Sequence, residues 1–342
     1  MNILKVASWM IVTFMTFFTL VYGQSIIIPF VIALLIWFVV KKTRNLIDKS
    51  PFIRNYIPKW IKTVLASFLI FTGIFFIGKI LTSNIESLTK SYDKYASNIE
   101  SVSKKISELF QVNIHDEIIH FFSTFEFSGY LELLFNSISD ILGNMVMIIF
   151  YITFLFIEES LFQHKIKLIF HERKKFLNVM TTIGKVDKSL SSYISLKSLI
   201  SLMTTTLSYI ILVSVGIDSP LFWAFLIFMF NFIPSVGPIM GTLFPAIFSL
   251  IQFGEFIPFL IIFFGVGGVA TLVGSFVEPK LMGNTLNISP LVAILSLALW
   301  GSMWGIIGMF LSVPITVALI IIFSQFKDTR AIAILLSEKG RV

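Results

Sequence analysis

The apolar positions of this chain fall into long uncharged runs that polar segments separate. Five of these runs, at residues 6–22, 26–40, 63–78, 141–157 and 198–217, contain no charged residue. A straight membrane helix needs about 20 apolar residues, so the runs predict five spans with short margins. Residues 23–25 alone separate the first two runs, which we therefore predict to form a helical hairpin.

The chain from residue 219 to residue 326 is almost free of charge and is broken twice by proline and glycine. Its charged residues are Glu255, Glu278 and Lys280. A single helix over residues 219–254 would be about 54 Å long, whereas the hydrocarbon core is about 30 Å thick. We therefore predict a hairpin of two short helices that meet at residues 234–238, and that either cross the membrane or re-enter it part-way.

A second broken run covers residues 281–326 and is long enough for two helices. Three glycines lie near its centre, and Pro314 lies beyond them. We predict a second hairpin with its bend at residues 301–308. Between the two hairpins, residues 256–277 form an uncharged run that predicts one continuous span.

Such breaks leave backbone N–H and C=O groups without helical partners, and in lipid these groups must bind protein, water or a ligand. Interrupted helices in the two halves of a transporter indicate a substrate site, whereas glycines four residues apart also favour plain tight turns between packed helices. Both interpretations stay open for a single break, and the presence of two favours the first. The candidate substrate-binding or gating residues at the breaks are Asn231, Pro234, Ser235, Gly237, Pro238, Gly241, Gly301, Gly305, Gly308 and Pro314.

The polar segment 278–290 adds groups that could couple transport to an ion. At the membrane edge Glu278 would be solvated or paired with Lys280, whereas in the protein interior its burial would imply proton or cation coupling. Asp187 is a second candidate titrating group. Uncharged groups suited to a polar neutral solute, and the proline that follows them, complete the candidate set: Asn284, Asn287, Ser289 and Pro290.

Composition agrees with a membrane protein. Of 342 residues, 56% are hydrophobic and 13% are charged, against about 25% charged in soluble domains. The net charge of +7 comes from basic residues beside apolar runs, so it indicates cytoplasmic loops and not nucleic-acid binding. With no Cys, and with all four His outside the predicted spans, we predict no cofactor, no metal and no enzymatic activity.

Charge also predicts the topology. The loop between the second and third runs carries seven basic residues and one acidic residue, Asp48, so this loop and the N-terminus should be cytoplasmic. Lys327 and Arg330 place the C-terminal tail on the same side. The acidic segment 83–140 should then lie outside, where positions from Ile85 to Leu109 follow a coiled-coil spacing. The pattern fits a helical hairpin within one subunit or a seam between subunits.

These patterns predict an all-α polytopic membrane protein with about eight membrane segments and an extramembrane helical segment. An apolar face at Phe176, Met180, Ile183 and Leu190 beside many basic residues predicts a helix in the inner interface. The predicted regions are 1–82 with three spans, 83–140 outside, 141–157 as the fourth span, 158–195 as the interfacial helix, 196–326 as the transport core, and 327–342 as the tail.

Three motifs in this order resemble the AI-2E transporter family, also known as the PerM family, of bacterial membrane proteins. They are NFIPSVGPIMG at residues 231–241, EPKLMG at 278–283 with NISPL at 287–291, and WGSMWGIIGM at 300–309 followed by Val313 and Pro314. The match is strong over residues 177–326. Many members have a basic residue where this chain has Asn284.

The resemblance implies an inner-membrane homo-oligomer that exports the quorum-sensing signal autoinducer-2, a small polar molecule, by alternating access. It also implies an alternative, because other members are described as Na⁺ or Li⁺/H⁺ antiporters; here Glu278 and Asp187 would titrate. From another class, a scaffold could act through the outer segment. The expected partners are lipid, a small polar solute, H⁺ or Na⁺, and further copies of the chain.

Overall fold

The structure, a computed structural model, describes residues 3–48, 55–90, 98, 143–283 and 287–340. Every regular element within these ranges is helical. By length and composition, six of the described helices are long and apolar enough to cross a membrane, and a seventh is added if the bent pair Met145–Glu159 and Leu161–Ile169 is one span. Two shorter apolar helices, Met10–Tyr22 and Pro220–Phe230, accompany them. The chain is therefore an all-α multi-pass membrane protein, as predicted.

The described helices are numbered here in chain order. They are α1 Ile3–Tyr22, α2 Gln24–Ile47, α3 Lys59–Lys90, α4 Met145–Ile169, α5 Arg173–Val215, α6 Pro220–Phe230, α7 Val236–Phe253, α8 Phe256–Leu272, a π-helical turn Val273–Val277, α9 Glu278–Met282, α10 Pro290–Phe323 and α11 Arg330–Leu336.

Two compact units divide these elements. The first unit comprises Met1–Ser67, Ser137–Ser192 and Asn287–Val342, and the second comprises Phe68–Asn136 and Tyr193–Leu286. The second unit thus holds the C-terminal part of α5 together with α6 to α9. Beyond the end of α3 at Lys90, the predicted outer seam lies outside the described residues, except for Asn98.

A bend, and not the predicted hairpin, joins α1 and α2. Gly23 alone separates the two helices, and its backbone angles of φ −88° and ψ 7° stay close to helical values. Its N–H donates to the Thr19 carbonyl and its own carbonyl accepts from Ile27, so the helical hydrogen bonding continues across it. Continuous helical hydrogen bonding of this kind is typical of a kink and not of a reversal of direction.

The predicted interfacial helix and the predicted fifth span are one continuous helix. α5 runs for 43 residues from Arg173, which at 1.5 Å per residue is about 64 Å, twice the hydrocarbon thickness. No break falls at the predicted boundary near residue 195. The predicted apolar face is nevertheless a packed face in the first unit, because Leu190 is buried and Phe176, Met180 and Ile183 are half-buried.

Polar contacts join α2, α3 and α4 at one end of the first unit. The buried Arg44 guanidinium on α2 donates to Glu159 on α4 at 3.2 Å and to the Thr63 hydroxyl on α3 at 3.0 Å. Elsewhere along their length α2 and α4 pack through aromatic rings, with Phe30 edge-on to Tyr151 at 5.6 Å between centroids. These contacts place the basic loop of the sequence beside its acidic partners.

The first predicted hairpin is confirmed in the second unit as α6 and α7. Ring contacts of Trp223 with Phe248 and of Phe230 with Phe244, at 4.9 and 5.7 Å, show that the arms run antiparallel. α6 has 11 residues and is therefore about 16 Å long, too short to cross the hydrocarbon core. The turn falls at residues 231–235, three residues earlier than the predicted 234–238.

The second predicted hairpin is confirmed in the first unit, and a single residue makes its turn. Gly305 interrupts α10 with φ 61° and ψ −141°, a conformation that residues with a Cβ rarely adopt. The helix start and the segment after its end meet, since the Ser289 N–H donates to the Leu336 carbonyl at 3.1 Å. The two arms therefore run in opposite directions, and Trp300, Trp304 and Leu311 form a buried cluster at the bend.

Candidate functional site

A buried polar face runs along the C-terminal part of α5 in the second unit. Tyr193, Lys197 and Ser201 follow one another at intervals of four residues, which places them on one side of the helix. All three are buried, and Lys197 is only 7% exposed. A lysine ammonium at such a position needs a partner, because burying an unpaired charge is costly.

Glu278 supplies that partner. The Lys197 Nζ donates to the Glu278 Oε1, and the two side chains are 9% and 26% exposed. Glu278 follows directly after the π-helical turn Val273–Val277, and the extra residue in such a turn rotates the following side chains by about 100° relative to a regular helix. The turn therefore sets the direction in which Glu278 projects.

Lys280, the partner considered from sequence, is exposed, and the described contacts pair Glu278 with Lys197 instead. The Glu278 carboxylate is therefore partly exposed, whereas the ammonium that pairs with it is buried.

The first hairpin joins this face one helical turn further along. The Asn231 side-chain amide donates to the Ser201 hydroxyl at 3.2 Å. Ser201 and Lys197 are about 6 Å apart along one face. Two residues from separate sequence motifs, Asn231 and Glu278, are therefore brought to adjacent positions on α5.

Local geometry explains the composition of the first motif. A Cβ on Gly237 would lie 1.8 Å from the Phe230 carbonyl oxygen, so only glycine fits there. A Cβ on Gly241 would lie 3.6 Å from the Ile227 Cα, which is ordinary contact. Ser235 precedes α7 with φ 60° and ψ −46°, a strained conformation for a residue with a side chain. The Ser235 side chain is exposed, and Pro234 and Pro238 are half-buried.

The remaining candidates belong to the first unit or lie outside the described residues. Pro314 is buried in the second arm of α10, and Gly308 meets the Trp300 carbonyl oxygen, to which an added Cβ would approach within 1.9 Å. Asn284 is outside the described residues. The others in the first unit are Asn287, Ser289, Pro290, Gly301 and Gly305.

Asp187 also has a basic partner. Its Oδ2 accepts from the Lys41 ammonium at 2.7 Å, and both side chains are partly exposed. The same ammonium stands 4.9 Å from the centre of the Trp37 ring, a cation–π contact. Asp187 thus belongs to the ion pairs between α2 and α5 in the first unit.

Lys197 is the functional residue that the apolar pattern misses, because the predicted fifth span begins at the next position. It is the last charged residue before a long uncharged run that ends at Ile217. A lysine at the edge of an apolar run is ordinarily expected to extend toward the headgroups. Here the helix begins far earlier, so this position is inside the packed unit.

Comparison with known proteins gives the same assignment as the motifs. The sequence model of the AI-2E family transporter matches residues 9–328. The chain is 26% identical to the "AI-2 transport protein TqsA" of Escherichia coli, over 94% of this chain and 92% of that protein. It is 29% identical to a "Putative transport protein" of Borreliella burgdorferi, over 83% of this chain and 78% of that protein. A "Putative transport protein" of Haemophilus influenzae is 26% identical, with 92% and 91% covered.

The family match covers both hairpins. It also covers Asn231 and Glu278, each of which contacts a residue of α5. The family and these relatives are transport proteins, and the chain belongs to the AI-2E transporter family.

Proposed function

We propose that the chain is a secondary transporter that exports a small polar solute, and that this solute is an autoinducer-2-like signal. The observation that carries the proposal is the polar face of α5, on which the motif residues Asn231 and Glu278 meet Ser201 and Lys197. The relative named for AI-2 transport aligns over nearly the whole chain.

Binding would use neutral hydrogen-bonding groups beside a balanced ion pair. Asn231 offers both a donor and an acceptor, and the Ser201 hydroxyl can do the same. Because Lys197 and Glu278 neutralise each other, the site suits a polar solute without net charge. Alternating access would come from movement of the hairpins, whose close glycine contacts leave helices free of interlocking side chains.

Export can be tested with purified protein in liposomes. We expect autoinducer-2 loaded inside to leave protein-containing liposomes faster than protein-free liposomes, and Asn231→Ala to slow this efflux by about tenfold because a direct hydrogen bond to the solute is lost. Thr206→Val is a matched control, since its hydroxyl bonds only to its own helix at Leu202 and is exposed. Efflux equal to that of empty liposomes would contradict the proposal.

The Lys197–Glu278 pair favours a second candidate, a Na⁺ or Li⁺/H⁺ antiporter. The Glu278 carboxylate could bind H⁺ or Na⁺ in turn, each in place of the Lys197 ammonium, and this alternation would couple the two fluxes. In this case, Glu278→Gln should abolish sodium-dependent proton flux under an imposed pH gradient. Autoinducer-2 efflux that is unaffected by Glu278→Gln supports the exporter and removes a coupling role for this residue.

We further propose that the chain resides in the bacterial inner membrane, with both termini in the cytoplasm, and that it assembles as a homo-oligomer. The basic residues beside α2 and after α10 support the orientation. The oligomeric state follows from the family resemblance and can be measured by native mass spectrometry in detergent.

A further inference from the structure

The polar face of α5 continues beyond Ser201 with two hydroxyls that have no partner. Thr205 Oγ1 and Ser208 Oγ are buried, and neither has a hydrogen-bond partner in the part of the chain that the structure describes. Ser208 is 0% exposed. With Ser201 these residues recur at intervals of four and three, on one side of the helix. We name Ser201, Thr205 and Ser208 the hydroxyl lane.

Neighbouring residues show that the missing hydrogen bonds are unusual. Thr204 and Thr206 donate to carbonyls one turn earlier, those of Ile200 and Leu202, at 3.1 and 2.8 Å. Hydroxyls in membrane helices commonly satisfy themselves in this way. Thr205 lies between these two residues and does not, so its hydroxyl remains available for another partner. A buried hydroxyl that stays unpaired costs free energy, and this cost is recovered when a ligand binds.

Beyond the Lys197–Glu278 pair, which lies one turn before Ser201, the helices around the hydroxyl lane are uncharged. No residue of α5 after Lys197 carries a charge, and neither do α6, α7 and α8. α8 packs against α5 beyond Ser208, where a Cβ on Gly265 would lie 3.1 Å from Ile211. A bare cation would find no carboxylate there to offset its dehydration, whereas a neutral solute with hydroxyl groups could both donate to and accept from the lane.

We propose that the hydroxyl lane is a binding site for a neutral, hydroxyl-bearing small molecule. The molecule would bind first at Asn231 and then at the lane. The lane begins at Ser201, the residue that the Asn231 amide contacts. From Ser201 to Ser208 it covers about 10 Å along the helix axis. This inference rests on the proposed function, because it names the groups along which the exported solute would move within the second unit.

The natural absence of cysteine makes a direct test available. Ser208→Cys introduces one thiol with little change in volume, and its reaction with 2-hydroxyethyl methanethiosulfonate, a small neutral hydroxyl-bearing reagent, can be followed by mass spectrometry. The matched control is Ser249→Cys in α7, also 0% exposed, whose native hydroxyl is satisfied by the Ala246 carbonyl at 2.6 Å. Thr205→Cys provides a second site in the lane if the first variant does not fold.

We expect the thiol in the lane to react about tenfold faster than the control thiol, because reaction requires contact with water and reagent. A cationic trimethylammonium analogue of the reagent should react more slowly than the neutral one. Equal rates for Ser208→Cys and Ser249→Cys would show that the lane is not a binding site. Faster reaction with the cationic reagent would show that the lane does not prefer a neutral ligand. Neither result depends on transport.

A second measurement links the lane to the solute. In the otherwise native chain, Thr205→Val together with Ser208→Ala should raise the KM for autoinducer-2 efflux several-fold while leaving the melting temperature unchanged or higher, since two unpaired hydroxyls are removed. Unchanged KM would overturn the lane as a solute site. If the native protein shows no autoinducer-2 efflux, the proposed substrate fails while thiol reactivity still decides whether the lane admits a neutral hydroxyl compound.

Discussion

Gly237 and Gly308 make the closest backbone contacts at the two hairpin bends. A Cβ on Gly308 would lie 1.9 Å from the Trp300 carbonyl oxygen and 2.9 Å from the Trp304 Cβ. Both neighbours are fixed, one by the backbone and one by a buried ring whose Nε1 donates to the Leu20 carbonyl at 2.9 Å. Gly308→Ala must therefore push the arms of α10 apart. We expect a loss of stability of about 1–3 kcal/mol, measured as a lower melting temperature in detergent.

Gly268→Ala in α8 is the matched control for this substitution. An added Cβ at Gly268 meets nothing within 4 Å, and the residue is helical. The alanine should be neutral or slightly stabilising there, because it lowers the entropy of the unfolded chain. If Gly308→Ala melts at the same temperature as Gly268→Ala, the close approach at the bend is wrong.

At the scale of elements, the Lys197–Glu278 pair holds α9 against α5. Removing one partner leaves the other partly buried and unpaired, so Glu278→Gln and Lys197→Met should each destabilise the protein. We expect a coupling energy of about 1–2 kcal/mol, at the low end for a buried pair because the Glu278 carboxylate is partly exposed. The double variant should recover most of the loss in melting temperature. Strictly additive losses would show that the pair contributes nothing to stability.

Both hairpins could be predicted because bilayer thickness limits how long a helix can be, and the proline and glycine positions show where each run must bend. The α1–α2 bend could not, because a single glycine is compatible with a kink and with a turn. In the structure the Trp304 ring donates to the Leu20 carbonyl beside this bend. The length of α5 could not be predicted either, because its first half is charged and its second half is apolar. Consequently the predicted fifth span begins just after Lys197, a residue that lies inside a packed unit.

The candidate site could be predicted in part for the same physical reason. Asn231 and Glu278 stood out as polar groups within apolar surroundings, and both have partners on α5. Their partners could not be predicted, because the direction of Glu278 depends on a π-helical turn that no local pattern encodes. Thr205 and Ser208 resembled ordinary span residues until their missing hydrogen bonds were visible.

At the scale of the whole molecule, hydrogen bonds in the second unit bring parts of three segments to one end of that unit. In the second unit, Gln252 accepts from the Asp218 N–H at 2.7 Å and donates to the Gly216 carbonyl at 3.1 Å, so the end of α7 lies beside the end of α5. The Asn98 amide donates to the Gln252 carbonyl at 2.7 Å, which adds a residue of the predicted outer segment to this end.

Single cysteines in the cysteine-free chain can test the topology predicted from charge. Lys42→Cys and Lys327→Cys should resist a membrane-impermeant maleimide in intact cells, whereas Glu255→Cys, at the start of α8, should react. All three native side chains are exposed, so differences would report the membrane side and not burial. All three variants should react after the membrane is permeabilised. Labelling of Lys42→Cys in intact cells would show that the orientation is the reverse of the one proposed.

The single-residue turn at Gly305 constrains how the chain enters the bilayer during synthesis. α10 has no polar loop between its arms, and the arm before the turn is about 22 Å long, too short to be retained as an independent span. The two arms must therefore be inserted together, as a hairpin. They enter from the side of the membrane on which Lys327 and Arg330 stay. Residues 281–326 contain no charged residue, so this hairpin can be inserted without moving a charge across the membrane.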